Sequence, residues 1–434
     1  MKRSTLLIVL ALALVPALAF AGGQEEAAEE GGGEQMEEQA ETVTLDVWSW
    51  RTEDVEEYDQ MFSVFKEDHP NIEINFRTIK NTEYNTVLAT ALEGGQGPDV
   101  MQLRAYGGLQ RYTDFLLPLG DRIEALQDFP DSSIASATGR DDGRVYGVPH
   151  ANQALGIYYN KGIFEENGVS EPENWSEFIE VMDTLQSNGV TPLANGGQAA
   201  WMLEIMFGTI GPNFYGGNEF YREVVAGDTT FTDERFVRAL SQMEQLGQYM
   251  PNGFMGIDYA SMQANFFTEQ AAMYVGGSFE AAFFQEQNPD LDLGVFAAPA
   301  PEGVDSRFVG TWADASYGVN KDTEHQEAAV ELVRFMATEE FGNLYTNLLS
   351  QISPVPGVQA DENEAPVLAS FINMMQEYET TPYIMLVGFR WEQPTGSVAL
   401  QNSLQGMMQG DLSPQEVAEE VQSQVESWYE PFQN

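Results

Sequence analysis

Flat rings and forked polar groups lie close together at several points of this chain where glycine, proline or a change of pattern ends an element. Trp48, Trp50, Trp201, Trp312 and Trp391, with Tyr106 and Phe279, could supply the rings. Arg51, Glu53, Arg104, Asn152, Asp314 and Arg390 could supply the polar groups. A ligand with an apolar C–H face and a rim of hydroxyls needs a ring to stack on and guanidinium, carboxylate or amide groups for paired hydrogen bonds. That chemistry is carbohydrate binding. Any one tryptophan is more often core than ligand contact, and Trp175 and Trp428, which fall within helical patterns, are assigned to packing.

Other chemistries find less support. Gly94-Gly95-Gln96-Gly97-Pro98-Asp99-Val100 is glycine-rich, but no Gly-Lys-Ser/Thr follows and the segment precedes a strand, where a phosphate loop would follow one. Its glycines and proline end a helix and turn the chain. His69, His150 and His325 lie far apart with no cysteine to join them, so neither a metal nor another cofactor is expected. No Gly-x-Ser-x-Gly elbow appears. Carboxylates are so numerous that no pair stands out as a glycosidase's acid and base, and no catalytic residue is assigned.

These groups must be held by elements that the patterning reveals. Thr42 to Trp48 alternates as a strand does, and Trp50-Arg51 sits at its C-terminal end before a helix striped by Val55, Tyr58, Phe62 and Phe65. Ile72 to Phe76 is the next strand, Tyr84 to Leu92 the next helix, and Pro98 to Leu103 the third strand. This βαβαβ start predicts an α/β fold with a parallel sheet, whose crevice lies at the strand C-terminal ends. Val145 to Pro149 and Leu155 to Tyr159 are extended runs separated by His150-Ala151-Asn152-Gln153, a first crossing between lobes. Trp175 to Ser187 and Asp233 to Tyr249 are helical, and Trp201 to Ile210 is a broken apolar region. Ala271 to Val275 reads as a buried strand, with Phe279 directly after Gly276-Gly277-Ser278. Leu291 to Ala298 ends in Pro299-Ala300-Pro301-Glu302-Gly303, a second crossing. Arg390-Trp391 falls in a loop between Gly388 and Pro394.

The amino terminus opens Met1-Lys2-Arg3, runs through Leu6 to Leu14 and reaches Ala19-Phe20-Ala21, which predicts a cleavable signal peptide over 1–21 and an exported protein. Residues 22–41, rich in Gly, Glu, Gln and Ala, read as a disordered acidic leader. Without cysteine there is no lipid-modified residue after the signal, so a periplasmic protein with no lipid anchor is expected. Formal charge is −49, from 68 acids against 19 bases. Such a field repels nucleic acid and anionic lipid. Scarce lysine with abundant carboxylate suits a protein that works in high salt.

The succession Val43 to Trp50, Gly94 to Val100, Tyr146-Gly147-Val148-Pro149, Tyr158 to Phe164 with Glu171 to Trp175, Phe267 to Met273 with Gly276 to Phe279, and Glu327 to Phe335 resembles the extracellular solute-binding proteins of carbohydrate ABC importers (maltose-binding-protein-like, family 1). The resemblance implies a two-lobed periplasmic binding protein type II fold, each lobe a mainly parallel sheet flanked by helices and joined by a hinge. It implies an N-terminal lobe of 42–151 plus 300–350 and a C-terminal lobe of 152–299 plus 351–434. It further implies capture of a carbohydrate by a monomer, closure of the lobes, and delivery to membrane permease subunits. Matched to this sequence, polar contacts fall on Arg51 and Glu53, a further contact near Arg104, and a ring on Phe279, where the family often has tryptophan. A non-sugar ligand such as a polyamine, and a secreted glycan-cleaving enzyme, stay open as alternatives.

Overall fold

The computed structural model describes residues 42–52, 54–304, 306–363 and 365–433. The signal peptide and acidic leader expected over 1–41 lie outside them, as does Glu53.

The first strand, β1 (Val43–Ser49), buries Leu45, Val47, Trp48 and Ser49, and pairs in parallel with β2 (Ile72–Thr78) and β3 (Val100–Arg104). Between β1 and β2 the helix Val55–Asp68 buries Tyr58, Met61, Phe62 and Phe65, a single stripe at helical spacing. Tyr58 stacks on Phe76 of β2 with ring centroids 4.7 Å apart. The βαβαβ start is therefore as the patterning predicts.

Two long strands organise the rest. Residues Val148–Asn160 form one continuous strand, β4, with bulges near Pro149 and Ala151. Its first half pairs antiparallel with Phe308–Val319, which we label β8, and its second half with β6 (Ala271–Gly277) and β7 (Leu293–Phe296). Strand β5 (Thr191–Leu193) adds in parallel to β6, and β9 (Glu379–Pro382) in parallel to β8. The sheet order is β2-β1-β3-β8-β4-β6-β5. Parallel pairs thus form the outer parts, and β4 and β8 join them by antiparallel pairing.

The segment Pro299 to Gly303, expected as the second crossing, packs beside a helix. Ala300 accepts a hydrogen bond from the Trp175 amide (2.8 Å), which keeps the segment beside the helix Trp175–Ser187. Strand β8 lies between β3 and β4 and carries the small residues Ala313, Ala315 and Ser316 there.

Two large hydrophobic cores lie toward the two ends of the sheet. One gathers Leu45, Tyr58, Leu103, Tyr317, Val330 and Phe341; the other gathers Phe178, Phe207, Phe236, Met273, Leu400 and Val421. The helix Trp175–Ser187 shows why the second core forms there. Asn174 caps it by accepting from the Glu177 amide, and Trp175, Phe178, Met182 and Leu185 face inward at i, i+3, i+7 and i+10. Truncating the fully buried Phe178 to alanine costs about 3–5 kcal/mol. The helix Ala200–Ile210, read from sequence as broken, is continuous and almost wholly buried. A third cluster, with Tyr106, Tyr158, Tyr274, Trp312 and Tyr383, lies where β4 and β8 pass.

Candidate ligand cleft

The C-terminal end of β1 delivers Arg51. A buried network fixes this turn: Ser49 Oγ donates to Gln102 Oε1 (2.7 Å) and accepts from the Arg51 amide (3.0 Å). The Arg51 guanidinium pairs with Asp54 at the start of the following helix. Trp50 is buried and does not offer a face to a ligand. The Arg104 guanidinium covers its ring at 3.8 Å, and Tyr84 meets it edge-on at 5.4 Å. Trp48 is likewise buried, under Arg77. Both rings belong to packing, because parallel neighbours on each side enclose the end of β1. Arg104 also donates to Asn81. Burial lowers its pKa, Asp314 opposes that shift, and the charges of Arg390 and Arg51 add to it, so all four groups share one electrostatic neighbourhood.

Across from Arg51, the end of β6 delivers Phe279. Its ring lies over Gly277 where a β-carbon would stand, so that glycine is required for the ring's position. Trp201, at the start of the helix Ala200–Ile210, is 38% exposed. Its ring centroid lies 4.8 Å from Tyr259 and 6.2 Å from Phe279.

Strands β4 and β8 provide the floor. Trp312 and Asp314 come from β8, and Asn152 and Gln153 from β4, with Gln153 opposite Trp312 in register. Trp312 lies 6.4 Å from Phe279 and 5.3 Å from Tyr383, ring centre to ring centre. Gln153 accepts from Ser278 Oγ (2.8 Å) and donates to Gln351 Oε1 (3.1 Å), a buried chain that spans the floor. The resulting cavity of about 620 Å³ is lined by Arg51, Asp54, Glu57, Gln153, Phe279, Glu286, Trp312, Asp314 and Gln351, among others. On the other side of Trp312, a hollow of about 340 Å³ is lined by Tyr106, Asn152 and Pro382. Trp391 meets Tyr106 edge-on at 6.4 Å and lies 5.5 Å from the Arg140 guanidinium; Arg390 beside it is exposed.

The fold thus gathers Arg51, Phe279, Trp312 and Asp314 on one cavity, with Trp201 against Phe279. Asn152 joins Trp312 in the neighbouring hollow. Arg104 lies behind, over Trp50, and Trp391 and Arg390 stand beyond Tyr106. Sequence reasoning passed over Gln153, Gln351, Asp54, Glu57 and Glu286. Gln153 sits within the stretch read as a connection, and the others carry no local signal that separates them from solvated surface. Rings with carboxylates and amides around them can stack on a ligand's apolar face and accept or donate to its hydroxyls.

The profile of the bacterial extracellular solute-binding proteins matches residues 48–342, a span that contains most of this cavity's lining. The chain belongs to that family. This solute-binding protein is 23% identical over 329 residues to the "Multiple sugar-binding protein" of Streptococcus mutans, covering 74% of this chain and 77% of that one. It is 24% identical over 389 residues to an uncharacterized ABC transporter extracellular-binding protein of Pyrococcus horikoshii, covering 86% and 83%. Among solved structures it is similar to a "Chitin oligosaccharide binding protein" (TM-score 0.74, 21% identity, 90% of this chain and 99% of that one). It is similar also to RafE from Streptococcus pneumoniae (TM-score 0.74, 19% identity, 89% and 98%). These likenesses establish the two-lobed type II binding-protein fold for this solute-binding protein. Among its described residues no helix is long and apolar enough to cross a membrane.

Proposed function

We propose that this solute-binding protein captures a carbohydrate in the Phe279–Trp312 cavity and delivers it to the permease of an ABC importer, performing no chemistry on it. The observation that carries this reading is the pair of rings, 6.4 Å apart, on a wall that sets arginine, amide and carboxylate groups beside the apolar Phe283, Leu348 and Leu349. A sugar's C–H face stacks on the rings while its hydroxyls donate to Asp54, Glu57, Glu286 or Asp314 and accept from Arg51 or Gln153. Relatives named for sugar binding and a RafE structure solved with raffinose support it.

In this reading the lobes are 42–151 plus 300–350 and 152–299 plus 351–434, joined through β4 and the segment Pro299 to Gly303. Phe279 and Gln351 then face Arg51 and Asp314 from the opposite lobe. Closure follows because a ligand that touches both lobes binds the closed state better than the open one. The protein acts as an exported monomer in the periplasm, without a lipid anchor.

The experiment is a titration with mono- and oligosaccharides, read by tryptophan emission and melting temperature. At least one sugar is expected to raise the melting temperature; if none does, the carbohydrate reading is wrong. A second reading, a cationic solute such as a polyamine, draws on the four carboxylates of the lining, Asp54, Glu57, Glu286 and Asp314. Spermidine in the same panel separates the two. Incubation with each bound sugar, followed by chromatography, is expected to return the sugar intact.

A further inference from the structure

We propose that Glu280 is a positioning residue: its buried carboxylate, held by three side-chain donors, sets the places of the rings that a ligand meets at Phe279 and Trp201. The inference rests on the reading of this cavity as the ligand site. Glu280 follows Phe279 directly, in the turn Ser278–Glu280 that closes β6, and is 1% exposed. Oε1 accepts from the hydroxyls of Tyr259 and Tyr274, each at 2.7 Å, and Oε2 accepts from Gln263 Nε2 at 2.7 Å. Burial pushes its carboxyl above the usual carboxylate range, and the same three donors oppose that shift.

The three donors come from two elements. Tyr259 and Gln263 stand one turn apart on the helix Tyr259–Phe267, and Tyr274 stands on β6. One carboxylate therefore pins that helix and that strand to the turn that bears Phe279. The consequence reaches the cavity through rings. Tyr259, held by its hydroxyl, meets Trp201 at 4.8 Å in an edge-on contact, and Trp201 meets Phe279 at 6.2 Å. Phe279 in turn meets Trp312. Glu280 itself does not line the cavity, so any effect on binding must pass through these rings. Its oxygens take donors from two of the three elements that meet at this wall, and a neutral amide in its place satisfies fewer of them.

The test uses the full chain labelled with 5-fluorotryptophan, the Trp201 and Trp312 resonances being assigned from Trp201→Phe and Trp312→Phe. Maltotriose, raffinose and chitotriose are the sugar probes. In Glu280→Gln and Tyr259→Phe the Trp201 resonance is expected to shift or broaden while that of Trp428 stays in place. Affinity for whichever probe the wild type binds is expected to fall about ten-fold. Gln263→Ala removes a donor that carries no ring, and is expected to lower the melting temperature without changing affinity. Unchanged Trp201 and Trp312 resonances and unchanged affinity in a folded Glu280→Gln would reduce Glu280 to a brace of the fold and overturn the proposal. If Glu280→Gln does not fold, Tyr259→Phe, which keeps the ring and loses one bond, decides by the same readouts. If the wild type binds none of the sugars, the carbohydrate reading fails, and the fluorine resonances still decide the positioning role.

Discussion

The backbone carbonyl of Arg390 lies 2.7 Å from where a β-carbon on Gly107 would stand. This close approach docks the loop that carries Arg390 and Trp391 against the turn after β3, next to Tyr106. From the other side Trp428 Nε1 donates to Pro394 O (2.7 Å), so the turn after the helix Pro414–Glu426 holds the same loop. Gly107→Ala is expected to push the loop away, at a cost of about 1–3 kcal/mol, and to red-shift the Trp391 emission. Chemical denaturation and emission spectra check this; a variant with wild-type stability and emission would show that the loop has room to give.

In the proposed site Phe279 and the largely buried Trp312, which both line the cavity, carry the stacking. Phe279 is half-buried, so Phe279→Ala is expected to weaken binding of the transported sugar about 10- to 100-fold, roughly 1.4–2.8 kcal/mol, with little change in melting temperature. Calorimetric titration measures it. Equal affinity in wild type and variant would remove this ring from the site.

His150 makes stability depend on pH. Its ring is fully buried, and Gln102 Nε2 lies 3.0 Å from His150 Nε2. Since Gln102 Oε1 accepts from Ser49, its amide nitrogen donates here to a neutral His150, whose buried Nδ1 has no hydrogen-bond partner among the described residues. Burial, with a smaller contribution from the Arg51 charge, lowers its pKa from 6.5 to about 3. The unfolded chain therefore binds a proton that the folded chain refuses between those values. Stability is full above pH 6.5 and falls progressively toward pH 3, by an amount on the order of 4 kcal/mol at the acid end. His150→Gln is expected to flatten that slope in urea melts run across the range; an unchanged slope would assign it to other groups.

A formal charge of −49 repels itself. Raising sodium chloride from about 10 mM to about 1 M shortens the screening length from roughly 30 Å to 3 Å, and is expected to raise the melting temperature. Equal melting in dilute buffer and concentrated salt would sink the idea that the acidic composition is an adaptation to salt.

Much of the fold was legible in the chain. The helix Trp175–Ser187 and the stripe of Tyr58, Phe62 and Phe65 appear where periodicity placed them, because that signal is local and one-sided burial enforces it. Strand β4 was harder. His150, Asn152 and Gln153 read as polar interruptions, yet the strand runs through them. Gln102 partners His150, while Ser278 and Gln351 partner Gln153, and patterning cannot see partners 48, 125 and 198 residues away. The helix Ala200–Ile210 looked broken because burial on every side erases amphipathic period.

The order of residues by itself determined the alternation of strands and helices, the acidic surface, and the ring-bearing turns after β1 and β6, since each depends on neighbours within a few positions. Only the tertiary structure decided which rings line the cavity. Trp50 and Phe279 occupy equivalent strand ends, but Arg104 covers the first while Gly277 leaves space for the second beside Trp312. That difference is made by contacts through space between segments far apart in the chain, where burial and hydrogen bonding set the energy and local spacing carries no trace of it.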